Sequence, residues 1–262
     1  MSTAGTAASS RYCASIVSRF MIPGQMAAFD VLARASTFPV SVSSAAHASR
    51  NDAPEHHWVT SKHVVAPFFY EDSFYREQAE WLRFVEPEHV KVTVELRSDV
   101  GELMWEGEAE SEVVYDENLD LAAVHLTRRA SDALATTLAL DPLELVSAND
   151  SGPLARDDAL VCGGHVLDGV AADDPECSPR PLALPARFVG VGSGEGTRHF
   201  LMTEEALTMG MCGGPVLRKS DARCAGMIEG AVNDESSELH IGAFIGHDKL
   251  ASFVAEIEAQ WT

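Results

Sequence analysis

The sequence predicts an all-β protein built in two halves and closed by one C-terminal helix. Three observations predict it. Strand-like runs dominate the chain, a polar and turn-rich stretch divides it, and sustained helical periodicity is confined to its far end. At 262 residues the chain can bury a substantial core, and one such two-part unit would use most of it.

Residues 1–34 read as an N-terminal extension. They are rich in Ser and Ala, carry Arg11 and Arg19, and hold no acid before Asp30. That composition fits a mitochondrial presequence better than a secretory signal, whose apolar centre is missing, and fits an unstructured tail equally well. A presequence would be removed somewhere in the twenties to thirties and make the protein mitochondrial; without one, a cytoplasmic location is the alternative.

The N-terminal half spans residues 35–150. Strands are expected at Phe38–Val42, Val90–Leu96 and Glu112–Val114, and the alternation across 90–96 marks a half-buried strand. Ser73–Phe84 spaces its aromatic and apolar residues at helix-like intervals and predicts an inserted helical loop. Residues 147–158, with Ser, Asn, Asp, Gly and Pro, form the bridge to the second half. That half, 151–262, predicts strands at Ala159–Val166, Ala186–Val191, Phe200–Thr203, Pro215–Leu217, Ala225–Ile228 and His240–Ile245. Leu250, Phe253, Val254 and Ile257 then place one apolar stripe on a closing helix from Lys249 to Trp261.

Charge and cysteine usage exclude some function classes. The formal net charge is −21, and residues 51–262 carry 15 basic against 39 acidic side chains. Such a body repels a phosphate backbone, so no nucleic-acid partner is expected. No apolar run is long enough for a membrane span. The five cysteines (13, 162, 177, 212 and 224) form no C-x-x-C pair and no metal-ligand spacing. They predict no disulfide framework, no metal site and no cofactor, which fits a reducing compartment.

The chemistry is concentrated at Thr208–Val216, which reads Thr-Met-Gly-Met-Cys-Gly-Gly-Pro-Val. A glycine two residues before a nucleophile lets the backbone turn until the amides of Gly210 and Cys212 point at one spot, an oxyanion hole. Gly213 and Gly214 let the backbone lie where a Cβ would collide. A cysteine nucleophile needs a base, and the base needs an orienting group. Trp58–Val65 is a short apolar strand ending near His63, and Asp120 opens the apolar run Leu121–Leu126. His56 and His57 precede that strand, where exposure is expected, and His125 reads as a satisfied core histidine. Asp116 competes with Asp120 for the orienting role. The candidates fall in the order His63, Asp120, Cys212, at intervals of 57 and 92 residues.

With those segments in place, the chain resembles the HtrA/Deg branch of the trypsin-like peptidases over roughly residues 35 to 260. Trp58–Val65 is similar to the family's apolar-Thr-x-x-His-Val-Val strand. Gly107–Asp116 leading into Asp120-Leu121-Ala122 resembles its approach to Asp-Leu/Ile-Ala. Leu201–Thr203 through Gly210–Pro215 resembles the strand and turn of Gly-Asn-Ser-Gly-Gly-Pro, and Ile241–Gly246 resembles the last strand. The resemblance implies two six-stranded antiparallel β-barrels of the chymotrypsin type, with the site at their seam. It implies a triad of His63, Asp120 and Cys212, an oxyanion hole from the Gly210 and Cys212 amides, and a peptide or protein substrate. It also implies a primary pocket based near Ala206 and walled by Glu229, Gly230, Ala231 and Gly242, with no acid at its base to select Lys or Arg.

The departures bear on mechanism. Cysteine stands in place of serine, as in picornavirus-type cysteine proteases of this fold, and an adjacent imidazole lowers a thiol's pKa below its free value of about 8.5. Met211 replaces the aspartate with which secreted trypsins bind a new N-terminus, so activation by that salt bridge is not expected. No PDZ-like module is expected after the final helix. The expectation is a cysteine endopeptidase; the alternative is an inactive relative serving as a structural or binding subunit, in an oligomer or larger assembly.

Overall fold

The structure, a computed structural model, describes residues 13–41, 56–70, 80–126, 130, 133, 143–145, 153–167, 177–193, 198–232 and 239–260. The first barrel contains β1 (Ala14–Phe20), β2 (Asp30–Ser41), β3 (His56–Thr60), β4 (Val90–Arg97), β5 (Leu103–Tyr115) and β6 (Ala122–Leu126). They close in the order β1-β2-β3-β6-β5-β4, every pair antiparallel. The second contains β7 (Ala159–Val166), β8 (Arg180–Val191), β9 (His199–Thr203), β10 (Pro215–Arg218), β11 (Cys224–Ala231) and β12 (His240–Gly246). Its order is β10-β11-β12-β9-β8-β7. Closure pairs every strand on both edges and so removes the exposed edge of an open sheet. All six strands expected in the second half are present.

Each barrel has its own apolar filling: Ile16, Trp58, Val94 and Val124 in the first, Leu160, Leu201, Met211 and Phe244 in the second. A third cluster joins Phe38, Val59 and Leu121 of the first barrel to Met227 and Ile245 of the second. Leu250, Phe253 and Ile257 of α2 (His247–Gln260) complete it. The apolar stripe predicted at the C-terminus therefore seals the seam between barrels. The connection between barrels is pinned nearby, where Leu143 bridges to Val40 and Leu145 to Cys224.

Several expectations are corrected. Residues 14–34, assigned to an extension, form β1 and the start of β2, so the first barrel begins before residue 35. Arg19, one of the two cations that pointed to a presequence, is paired with the buried Glu95 at 3.2 Å. Cleavage in the twenties or thirties would remove β1 from a closed barrel. The expected strand at 38–42 is the end of β2, whose residues 31–40 are all buried. A strand covered on both faces loses the alternation that reveals strands in sequence. His56 and His57 lie within β3, and His57 is 1% exposed, its Nδ1 at 2.7 Å from His125 Nε2. Of the helical insert, Glu80–Phe84 form a short 3-10 turn and 73–79 lie outside the described residues. Residues 147–152 of the expected bridge also lie outside them.

Candidate active site

His63 sits on a single helical turn, α1 (Lys62–Val65), immediately after β3. Asp120 precedes β6, and β3 pairs with β6 from Trp58↔Val124 to Thr60↔Ala122. That register brings the two side chains together: His63 Nδ1 lies 2.6 Å from Asp120 Oδ2, and the His63 amide donates to Oδ1 at 2.8 Å. The Tyr70 hydroxyl donates to the same Oδ1 at 2.7 Å. Three donors thus hold one carboxylate, and the imidazole is fixed in position and tautomer with Nε2 turned away from the acid. Asp116, the competitor, instead accepts the amides of Asn118 and Leu119 at 2.8 Å each and shapes the turn before Asp120.

Cys212 comes from the second barrel. A 3-10 turn at Met209–Met211 precedes it, and its thiol is partly exposed within hydrogen-bonding reach of His63. The turn is locked by close approach. Gly213 has φ +77°, and a Cβ there would strike the Ser36 carbonyl, while one on Gly214 would strike that of Gly163. Gly214 N–H closes the turn on Met211 O at 3.0 Å, and Gly213 N–H donates to Ile228 O at 2.9 Å. Among the described residues, no backbone carbonyl takes the amide of Gly210 or Cys212.

The electrostatics favour a charged imidazole. Burial pushes the His63 pKa down, but the hydrogen bonds and charges of Asp120 and Cys212 outweigh it and hold the value well above normal. Burial raises Tyr70, and the neighbouring Asp120 charge raises it further, so its hydroxyl stays a donor.

The side chains open into a cleft of about 920 Å³ at the seam, bordered by Tyr70 and Asn118 of the first barrel and Arg198 and Glu229 of the second. Solved structures with the same architecture follow from these facts. The chain is similar to the active form of the Rv3671c protease from M. tuberculosis at TM-score 0.54 and 19% identity, covering 95% of this chain and 82% of that one. The inactive form of Rv3671c protease gives 0.53 and 20%, covering 97% and 93%. The HtrA-type protease AlgW, solved with a decapeptide, gives 0.56 and 12%, covering 99% and 68%. The fold is that of the trypsin-like peptidases. No family profile and no curated protein matches the chain.

Within this trypsin-like frame, Glu229 of the expected primary pocket lines the cleft. Ala231 pairs with Gly242 and Gly230 with Ala243 across β11 and β12. The Leu207 side chain rests over Gly242 while packing on the second core, which fills the space a glycine wall would leave open. Gly192 and Ser193, just past β8, border the cleft; residues 194–197 lie outside the described residues.

Glu229 enters the cleft paired with Arg198 at 2.7 Å. Burial raises its carboxyl pKa; the Arg198 charge and hydrogen bond oppose this, and the nearby Asp120 adds to it. Sequence reasoning missed Tyr70, Arg198 and Ser36. Tyr70 ends the aromatic run Phe68-Phe69-Tyr70 shortly after the histidine, the one signal that could have found it.

Proposed function

We propose that this protein is a cysteine endopeptidase. The observation that carries the reading is the contact of Asp120 Oδ2 with His63 Nδ1 at 2.6 Å, with Cys212 hydrogen-bonded to the same imidazole. His63 takes the thiol proton, and the Cys212 sulfur attacks the carbonyl carbon of a peptide bond. The Gly210 and Cys212 amides receive the charge on the carbonyl oxygen. As the C–N bond breaks, His63 returns its proton to the leaving amine, and an acyl thioester remains on Cys212. Water, deprotonated by His63, then releases the acid and restores the thiol. Asp120 stays ionised, steering the ring and countering the imidazolium charge. A peptide is the proposed substrate, in keeping with the decapeptide in the AlgW structure.

Leu207 lying over Gly242 favours a second reading, an inactive relative that serves as a structural or binding subunit of a larger assembly. One experiment separates the two: the rate of Cys212 alkylation by iodoacetamide between about pH 5 and 9, in the parent and in His63→Ala. The peptidase reading expects fast labelling that persists near pH 6 and falls on the order of a hundredfold in the variant. Labelling that rises only around the free-thiol value, and ignores the substitution, supports the inactive relative.

A further inference from the structure

Ser36, at the middle of β2, is wholly buried and clasps the turn that carries Cys212 from the opposite barrel. Its amide donates to Cys212 O at 3.0 Å, and its hydroxyl donates to Gly210 O at 2.7 Å. Its carbonyl accepts Thr60 Oγ1 at 2.9 Å and is the atom against which Gly213 is pressed. One residue of the first barrel therefore touches Gly210, Cys212 and Gly213 together.

The hydroxyl is saturated. Its single proton goes to the Gly210 carbonyl, which can only accept. Its lone pairs face the backbone N–H of His165 at 2.9 Å and His165 Nδ1 at 3.2 Å. A hydroxyl that has spent its proton can meet Nδ1 only as an acceptor, so His165 carries its proton on that nitrogen. Cys13 Sγ lies 3.9 Å from the same nitrogen. Burial lowers His165 to about 3, so the ring is neutral near neutral pH. His165 also walls the turn directly: a Cβ on Gly210 would strike its carbonyl, to which Thr208 Oγ1 donates at 3.4 Å. A fully satisfied buried network of this kind holds one geometry, because any rotation strands a polar group without water.

We propose that Ser36 is a positioning residue for the oxyanion site: by holding the Gly210 carbonyl inward it fixes the Gly210–Met211 peptide and leaves the Gly210 and Cys212 amides to a substrate oxygen. A glycine is the residue freest to rotate, so the turn needs an external clamp. The inference rests on the peptidase reading and adds a specific role for a residue outside the triad.

Two probes separate oxyanion support from nucleophilicity. With p-nitrophenyl acetate, the Cys212 sulfur attacks the acetyl carbon, an oxyanion forms, and p-nitrophenolate leaves with the C–O bonding pair to give an acetyl thioester. Iodoacetamide is displaced at a saturated carbon, loses iodide and forms no oxyanion. Both reactions are read at the Cys212 peptide by mass. Ser36→Ala is expected to slow acylation on the order of ten- to a hundredfold. Its alkylation rate between pH 5 and 9 should stay within about threefold of the parent, and Ser36→Thr should recover most of the acylation. Acylation at the parental rate in Ser36→Ala overturns the proposal, and so does an equal loss of both reactions. If Ser36→Ala does not fold, Ser36→Cys, similar in volume but a weaker donor, is compared by the same ratio, and an unchanged ratio overturns it. A parent that neither acylates nor alkylates in a His63-dependent way sinks the peptidase reading itself, whatever Ser36 does.

Discussion

Tyr70 and Asp120 are joined by a 2.7 Å hydrogen bond to the oxygen that does not face the imidazole. The carboxylate accepts from Tyr70 and the His63 amide on Oδ1 and keeps Oδ2 for the ring. Tyr70 thereby restrains rotation of the acid about its own axis.

Tyr70→Phe removes that restraint and leaves the ring packing in place. A hydrogen bond to a charged group, at a partly exposed site, contributes about 1–2 kcal/mol. We expect Tm to fall by about 2–6 °C and peptide cleavage by roughly three- to tenfold, mostly in kcat. Unchanged kcat in a variant with lowered Tm would confine Tyr70 to the fold.

Glu229 predicts a pH-dependent gain in stability on neutralisation. Its folded pKa is raised, burial outweighing Arg198. The folded state then holds a proton that the unfolded chain has released, so the carboxyl opposes folding more as pH rises through its raised value. Glu229→Gln is therefore expected to raise Tm by about 1–3 °C at pH 7–8, with the gain gone by about pH 4. A loss of Tm at pH 8 would show that the Arg198 pair outweighs the burial cost.

The His57–His125 contact has the opposite sign. Two nitrogens at 2.7 Å need one donor and one acceptor at that point, and two imidazoliums offer only donors. Burial holds His125 down to about 4. The unfolded chain takes up a proton near pH 6.5 that the folded one refuses, so stability present above about pH 6.5 is lost progressively toward pH 4. An imidazole NMR titration is expected to find the His125 midpoint near 4. A midpoint close to 6.5 would remove this pair from the acid response.

Gly213→Ala tests the nucleophile turn. The left-handed φ of +77° and the clash with the Ser36 carbonyl act together, and Thr60 Oγ1 would lie only 2.6 Å from the new carbon. We expect a loss of about 3–5 kcal/mol in urea unfolding, with Cys212 reactivity lost in whatever remains folded. A cost below about 1 kcal/mol would mean that the turn can rearrange.

The strands of the second barrel, the closing helix and the order His63, Asp120, Cys212 were legible in the sequence, because periodicity, turn residues and chain order are local properties. The resemblance to trypsin-like peptidases turned that order into a double barrel. β1 escaped because its Ser and Arg residues look like a targeting segment until Glu95 is beside Arg19. The narrow space at Gly242 escaped because nothing in Ala206-Leu207 says which way the leucine turns.

By itself the sequence determined which residues can do chemistry and marked Gly213 and Gly214 as the glycines of the nucleophile turn; the carbonyls of Ser36 and Gly163 that exclude a Cβ there come from distant strands. Only the tertiary structure decided what holds those residues in place. Tyr70 reaches Asp120 across 50 positions and Ser36 reaches Gly210 across 174. Such partners leave no periodic trace: the first depends on how one barrel closes, and the second on how two closed sheets pack against each other across the buried seam from Phe38 to Ile257.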